Sequence, residues 1–123
     1  MLERQTAAKK PRVLLADVHK IVAAVWTQVL KPEFDLLGTV EDGRQLVAEA
    51  ARLWPDVVVS EIFLPLMNGI EEARQLRKIG VRARIVFLSM ETDDACVRLA
   101  LEAGAQGYLS KHADPSELGT QLC

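Results

Sequence analysis

The stretch Val57-Val58-Val59-Ser60-Glu61-Ile62-Phe63-Leu64-Pro65-Leu66-Met67-Asn68-Gly69 decides how the rest of the chain is read. It opens as a short β-branched run, set off on one side by Trp54-Pro55-Asp56 and on the other by Pro65 and Asn68-Gly69. An unalternating apolar run bounded by turn formers reads as a strand buried on both faces, the habit of a parallel sheet. Glu61 then stands at the C-terminal end of that strand. In open α/β sheets this end faces the crevice where ligands bind. A carboxylate placed there is a candidate for chemistry.

The flanking sequence repeats the pattern. Upstream, Val13-Leu14-Leu15-Ala16 reads as a first strand ending at Asp17, and residues 34–40 as a second. Between them Val22, Val25, Trp26, Val29 and Leu30 recur at helical spacing, and Pro32 stops the helix. Asp42-Gly43 opens a helix carrying Leu46, Val47, Ala50 and Leu53. Downstream, Asn68-Gly69 precedes a helix over 70–79 with Ile70, Ala73, Leu76 and Ile79 on one face and Gly80 as its C-cap. Residues 84–89 read as a fourth strand ending at Ser89. Thr92 or Asp93 caps a helix with Val97, Ala100 and Leu101 inward, stopping at Gly104. Residues 107–110 form a short fifth strand ending at Lys111, and Asp114-Pro115-Ser116-Glu117 opens a last helix.

Five such units predict a flavodoxin-like, doubly wound α/β domain. Its five-stranded parallel sheet carries helices on both faces, (βα)5, because parallel crossovers are right-handed and need covering helices. Residues 1–11 are expected to be an N-terminal arm and 12–123 the domain. The last helix has only about two turns before Cys123, short against a mean of about 11 residues. That shortness is expected of a domain cut from a longer protein.

Composition narrows the classes. The chain has 123 residues, 50% hydrophobic and 26% charged, which suits one globular domain and excludes a disordered chain. A formal net charge of −2 gives no general attraction to nucleic acid or an anionic membrane. The basic opening, Arg4, Lys9, Lys10 and Arg12, reads as a solvated arm. No stretch approaches the roughly 20 apolar residues of a membrane helix, and no signal-peptide core is present, so a cytoplasmic location is expected. Cys96 and Cys123 make no metal spacing with each other or with His19 and His112, and read as free thiols.

Asp17, Glu61, Ser89 and Lys111 all fall at C-terminal strand ends and should converge on one crevice. Two carboxylates, a hydroxyl and an ammonium suit a phosphate or a metal-bound phosphate. Against an enzyme, the set pairs no nucleophile with a base, and no Gly-rich phosphate loop follows the first strand.

The chain resembles the receiver domain of bacterial two-component response regulators, in the branch usually fused to a LuxR-type helix-turn-helix. The resemblance runs from about Val13 to Leu118. It rests on Leu14-Leu15-Ala16-Asp17-Val18-His19, Pro55-Asp56-Val57-Val58-Val59, Leu64-Pro65 with Met67-Asn68-Gly69, Leu88-Ser89-Met90, and the run from Ala103 to Lys111. It implies an acidic pair after the first strand and an aspartate after the third that together hold Mg²⁺. That aspartate would accept a phosphoryl group from a histidine kinase. The hydroxyl and the lysine would bind the phosphoryl oxygens, and a fifth-strand aromatic, Tyr108 here, would follow the hydroxyl as a switch. Partner exchange is implied on the face of the fourth helix, fifth strand and fifth helix. A homodimer would use that face or the first and fifth helices. A DNA-binding effector is expected beyond this chain, and no nucleic acid is expected to bind this domain itself.

Two positions depart from that pattern. Val18 stands where the second member of the acidic pair belongs, and Glu61 stands where the phosphoacceptor aspartate belongs. Val18 offers no oxygen, so a hard cation loses a ligand and a charge. Glu61 reaches one methylene further, about 1.5 Å, which matters for in-line transfer. The expectation is a receiver outside the ordinary phosphorylation cycle. No resident cofactor is expected, beyond weak Mg²⁺ held by Asp17, Glu61 and the Phe63 backbone carbonyl. Competing readings are a receiver still phosphorylated on Glu61, a docking or dimerisation unit, and a small α/β ligand-binding module or enzyme using the same crevice. Glu61 itself is either a salt-bridge partner of Lys111 or a mimic of the phosphorylated state. His19 reads as the partly exposed start of the first helix, His112 as a loop residue, Trp26 and Trp54 as core or rim. Leu66 reads as an exposed residue beside the pocket.

Overall fold

The sheet alternates its apolar residues between two helix layers, and each layer follows from the pleat of the strands. The computed structural model describes residues 10–89 and 94–110. Its strands are β1 (Arg12–Ala16), β2 (Asp35–Val40), β3 (Val57–Glu61), β4 (Arg84–Ser89) and β5 (Gly107–Ser110). All pair in parallel, in the order β2-β1-β3-β4-β5. The helices are α1 (Lys20–Leu30), α2 (Gly43–Leu53), α3 (Gly69–Lys78) and α4 (Asp94–Glu102). This is the doubly wound, flavodoxin-like arrangement expected. The strand order reverses between β1 and β3, so the ligand crevice lies at the C-terminal ends of those two strands.

Val13, Leu15, Val57, Val59, Val86 and Leu88 face α1, where Trp26 and Leu30 close the layer. Leu14, Ala16, Val58 and Phe87 face the other way, onto Leu46 and Ala50 of α2, Ala73 and Leu76 of α3, and Ala100 of α4. The long side chains among these are almost fully buried, and burying each contributes about 1.5–3 kcal/mol.

Local signals set the helix ends. The Asp42 side chain accepts from the Gln45 N–H at 2.8 Å, and Asn68 accepts from the Glu71 N–H at 2.9 Å. Each cap satisfies a donor that the first turn leaves open. Gly80 and Gly104, both at positive φ, follow α3 and α4. The Asn68 cap starts α3 at Gly69, one residue before the expected start.

Some expected inward residues are not buried. Val25 and Val29 on α1, Ile79 after α3 and Leu101 on α4 are exposed, because the sheet covers a narrower stripe than the apolar periodicity suggests. Trp54 is exposed at a left-handed φ of 49°. The arm through residue 9, the cap at Thr92 or Asp93, Lys111, His112 and the last helix lie outside the described residues. No helix among the described residues is long and apolar enough to cross a membrane.

Candidate functional site

β1 and β3 are neighbours, so their last residues deliver two carboxylates to one point. Ala16 pairs with Ser60, which leaves Asp17 and Glu61 one step beyond that pair. Both are 3% exposed. Together with His19 they present ligand atoms that all lie within 4.8 Å of one another. Among the described residues, this cluster is a possible seat for a cation.

Backbone donors hold both acids. Asp17 Oδ1 accepts from the His19 N–H at 2.8 Å and lies 3.1 Å from His19 Nδ1. The first bond closes an Asx-type turn that carries the chain from β1 into α1. Glu61 folds back along its own loop, and its Oε2 accepts from the Phe63 N–H at 2.9 Å. Ser89, at the end of β4, is fully buried. β4 is hydrogen-bonded to β3, with Leu88 beside Glu61, so Ser89 ends its strand on the same side of the crevice. Tyr108 sits opposite Phe87 on β5 and packs, half-buried, against the α2–α4 layer. The structure thus gathers Asp17, Glu61 and Ser89 at the strand ends. Lys111, the expected fourth member, lies outside the described residues.

In the segments that follow β1 and β3, Val18, Phe63 and Leu66 all expose their side chains. Leu66 is 69% exposed and holds a φ of +69°, a conformation that side chains with a Cβ rarely adopt. Its loop is clamped from α2: the Gly43 N–H donates to the Pro65 carbonyl at 3.1 Å, and Gly43 packs directly on Met67. An open groove of about 340 Å³ runs beside this site between α1, β2 and α2, with Asp17, Lys20, Thr39 and Gln45 in its walls. Glu61 does not line it, so the groove adjoins the strand-end site without containing it.

Sequence reading missed one polar residue next to the site. Glu72, on α3, is 1% exposed, and its Oε1 lies 3.0 Å from Ser60 Oγ. Burial pushes its carboxyl up to about 8, the Ser60 hydrogen bond opposes the shift, and the charge of Glu61 adds to it. The signal was present in the spacing Gly69, Glu72, Ala73, Leu76, a buried helical stripe that includes an acid.

Known proteins share this chain's pattern. The family model of the response regulator receiver domain matches residues 13–122. The nitrate/nitrite response regulator protein NarL of Escherichia coli K12 is 32% identical over 108 residues, covering 86% of this chain and 50% of that protein. A protein-glutamate methylesterase/protein-glutamine glutaminase of a Nocardioides species is 32% identical over 115 residues, covering 90% of this chain and 31% of that protein. The crystal structure of a two-component response regulator of the LuxR family from Aurantimonas superposes with a TM-score of 0.84 at 32% identity, covering 91% of this chain and 81% of that one. This chain therefore spans half or less of the length of these two curated relatives.

Proposed function

The chain belongs to the response regulator receiver family, and from that premise we propose that it is a divergent signalling receiver whose state is set without phosphorylation at position 61. The observation that carries this reading is Glu61, a buried acid at the phosphoacceptor position that turns its own oxygen onto the Phe63 N–H. The extra methylene displaces the carboxylate from where a shorter acid would end. A misplacement of about 1 Å in an attacking group costs on the order of 10²-fold in rate. In-line phosphoryl transfer depends almost wholly on positioning and electrostatics.

The donor set also departs from what Mg²⁺ requires. Asp17 and Glu61 bring oxygens, His19 brings a nitrogen, and Val18 brings nothing. Mg²⁺ demands near-octahedral oxygen coordination, so this set fits it poorly. In this proposal Asp17, Ser89 and Lys111 are pocket residues rather than parts of a transfer site, and Tyr108 keeps the place of the switch aromatic. Glu61 paired with Lys111 would preserve the pocket in one state.

Residues 12–123 are taken as the receiver and 1–11 as an arm. The chain is read as a regulatory module and not as an enzyme. The matched transcription regulators are about twice its length, which supports a DNA-binding output domain beyond Cys123. A histidine kinase or another signalling protein, and a second copy of the chain, are the partners such a module would meet.

The test is chemical. The protein is incubated with Mg²⁺ and acetyl phosphate, and its intact mass is recorded. No phosphoryl increment is expected. A lasting increment that maps to Glu61 overturns the proposal and restores the reading of a receiver that is phosphorylated in the usual way.

A further inference from the structure

Glu72 is a buried acid that the proposed function leaves without a role. Its Oε1 lies 3.0 Å from Ser60 Oγ, and the same Oγ lies 2.9 Å from the backbone oxygen of Glu61. A hydroxyl carries one proton. With Glu72 ionised, that proton has two acceptors, and one of the two short contacts has no hydrogen in it. With Glu72 protonated, the acid O–H donates to Ser60 and the Ser60 O–H donates to the Glu61 carbonyl. Both distances are then hydrogen bonds at once.

The surroundings favour the protonated form. The residues of β1, β4, α2 and α4 on this side of the sheet, Leu14, Ala16, Phe87, Leu46, Ala50 and Ala100, are apolar. On α3 itself Glu71 and Arg74 point to solvent. Glu61 is the charged group of β3 that bears on Glu72, and it disfavours a second negative charge. Glu72 Oε2 is buried and has no hydrogen-bond partner among the described residues, so an ionised carboxylate would keep an uncompensated oxygen in the core.

We propose that Glu72, Ser60 and the Glu61 carbonyl form a proton-operated relay from α3 to the pocket strand, in which loss of the Glu72 proton to solvent draws the Ser60 hydroxyl onto the carboxylate and releases the pocket end of β3. The bond lost is Ser60 O–H to Glu61 O=C, and the bond gained is Ser60 O–H to the Glu72 carboxylate. A charge-assisted bond is about twice as strong as a neutral one, which sets the direction of the exchange. The relay gives the receiver an input that does not pass through Glu61 chemistry, and it holds whether or not Glu61 takes a phosphoryl group.

The experiment is an NMR titration of the full chain from about pH 6 to about pH 10, the window in which a buried acid of this kind loses its proton. It follows the Glu72 carboxyl carbon and the Ile62 amide, whose nitrogen shares a peptide with the Glu61 carbonyl. Both are expected to move with one midpoint near 8. In Glu72→Gln the amide N–H₂ can donate to Ser60 as the protonated acid does, so Ile62 should stay at its low-pH position throughout. A Glu72 carbon that titrates in the ordinary carboxylate range overturns the relay. So does an Ile62 amide that moves equally in the variant, which would place the transition on another group. Should the variant not fold, two different midpoints for Glu72 and Ile62 in the unaltered chain overturn it equally.

Discussion

A carboxyl group buried under a sheet makes the stability of the domain depend on pH. Glu72 has an ordinary value of 4.5 and is raised to about 8 in the fold. Well below 4.5 both the folded and unfolded chains hold the proton, and the group imposes no penalty. Between the two values the folded chain keeps a proton that the unfolded chain has released, so the unfolding free energy falls as pH rises. Above about 8 the penalty is complete. Urea unfolding of the parent should therefore show stability dropping from mildly acidic to mildly alkaline solution, by about 2–5 kcal/mol at one pKa unit per 1.36 kcal/mol. Glu72→Gln should remove most of that slope, and a slope that survives in the variant assigns the effect elsewhere. Leu66 makes a simpler case. A non-glycine residue at left-handed φ costs about 1–2 kcal/mol, and glycine returns about 0.5–1 kcal/mol of that as entropy in the unfolded chain. Leu66 is mostly exposed, so its removal forfeits little burial. Leu66→Gly should raise the unfolding free energy by about 0.5–1 kcal/mol, and a loss of stability would mean that the Leu66 side chain packs on something in solution.

At the scale of elements, the β3–α3 loop owes its shape to α2 as much as to its own residues. A Cβ at Gly43 would collide with the Met67 carbonyl, and backbone cannot move aside as a flexible side-chain tip can. Gly43→Ala should cost about 1–3 kcal/mol, the usual range for forcing atoms into a filled contact. It should also shift the amide signals of the loop after Glu61 more than those of distant α4, and equal disturbance of both would deny the clamp. Most elements were legible in the sequence because their signals are local: β-branched runs bounded by turns, an Asp or Asn capping α2 and α3, a proline soon after α1 and α2, and a glycine after α3 and α4. What was not legible depended on neighbours. Val25, Val29 and Leu101 fit the helical period but face solvent, since period fixes a stripe's direction and not the width that the sheet covers. Glu72 lies on the buried stripe of α3 although charge argues for the surface, because Ser60 across the layer gives it a partner. The strained φ at Leu66 sits at the centre of a three-residue turn in which the Met67 N–H donates to the Pro65 carbonyl at 2.8 Å, a conformation that a leucine does not announce.

Across the whole molecule, the topology alone decides that Asp17 and Glu61 meet. The order β2-β1-β3-β4-β5 sets β1 beside β3 at the point where the winding reverses, and any acids at those two strand ends must share a crevice. The proposed departure from a phosphorylated receiver rests on two of the residues delivered to that crevice, and their effects are separable. Val18 removes an oxygen from the β1 side and Glu61 lengthens the acid on the β3 side. Restoring one leaves the other fault in place, because octahedral Mg²⁺ tolerates neither a missing ligand nor a displaced one. Calorimetric titration with Mg²⁺ should accordingly find weak binding or none in the parent, little gain in Val18→Asp or Glu61→Asp alone, and a clear gain in the double variant. The two replacements should be strongly non-additive, since their side chains act on one ion. The added negative charge at Val18 should also lower the stability of the ion-free double variant, through repulsion with Asp17 and the residue at 61, and Mg²⁺ should return that stability by binding the folded state alone. A double variant that binds Mg²⁺ no better than the parent would show that the crevice itself, and not these two side chains, is closed to the ion.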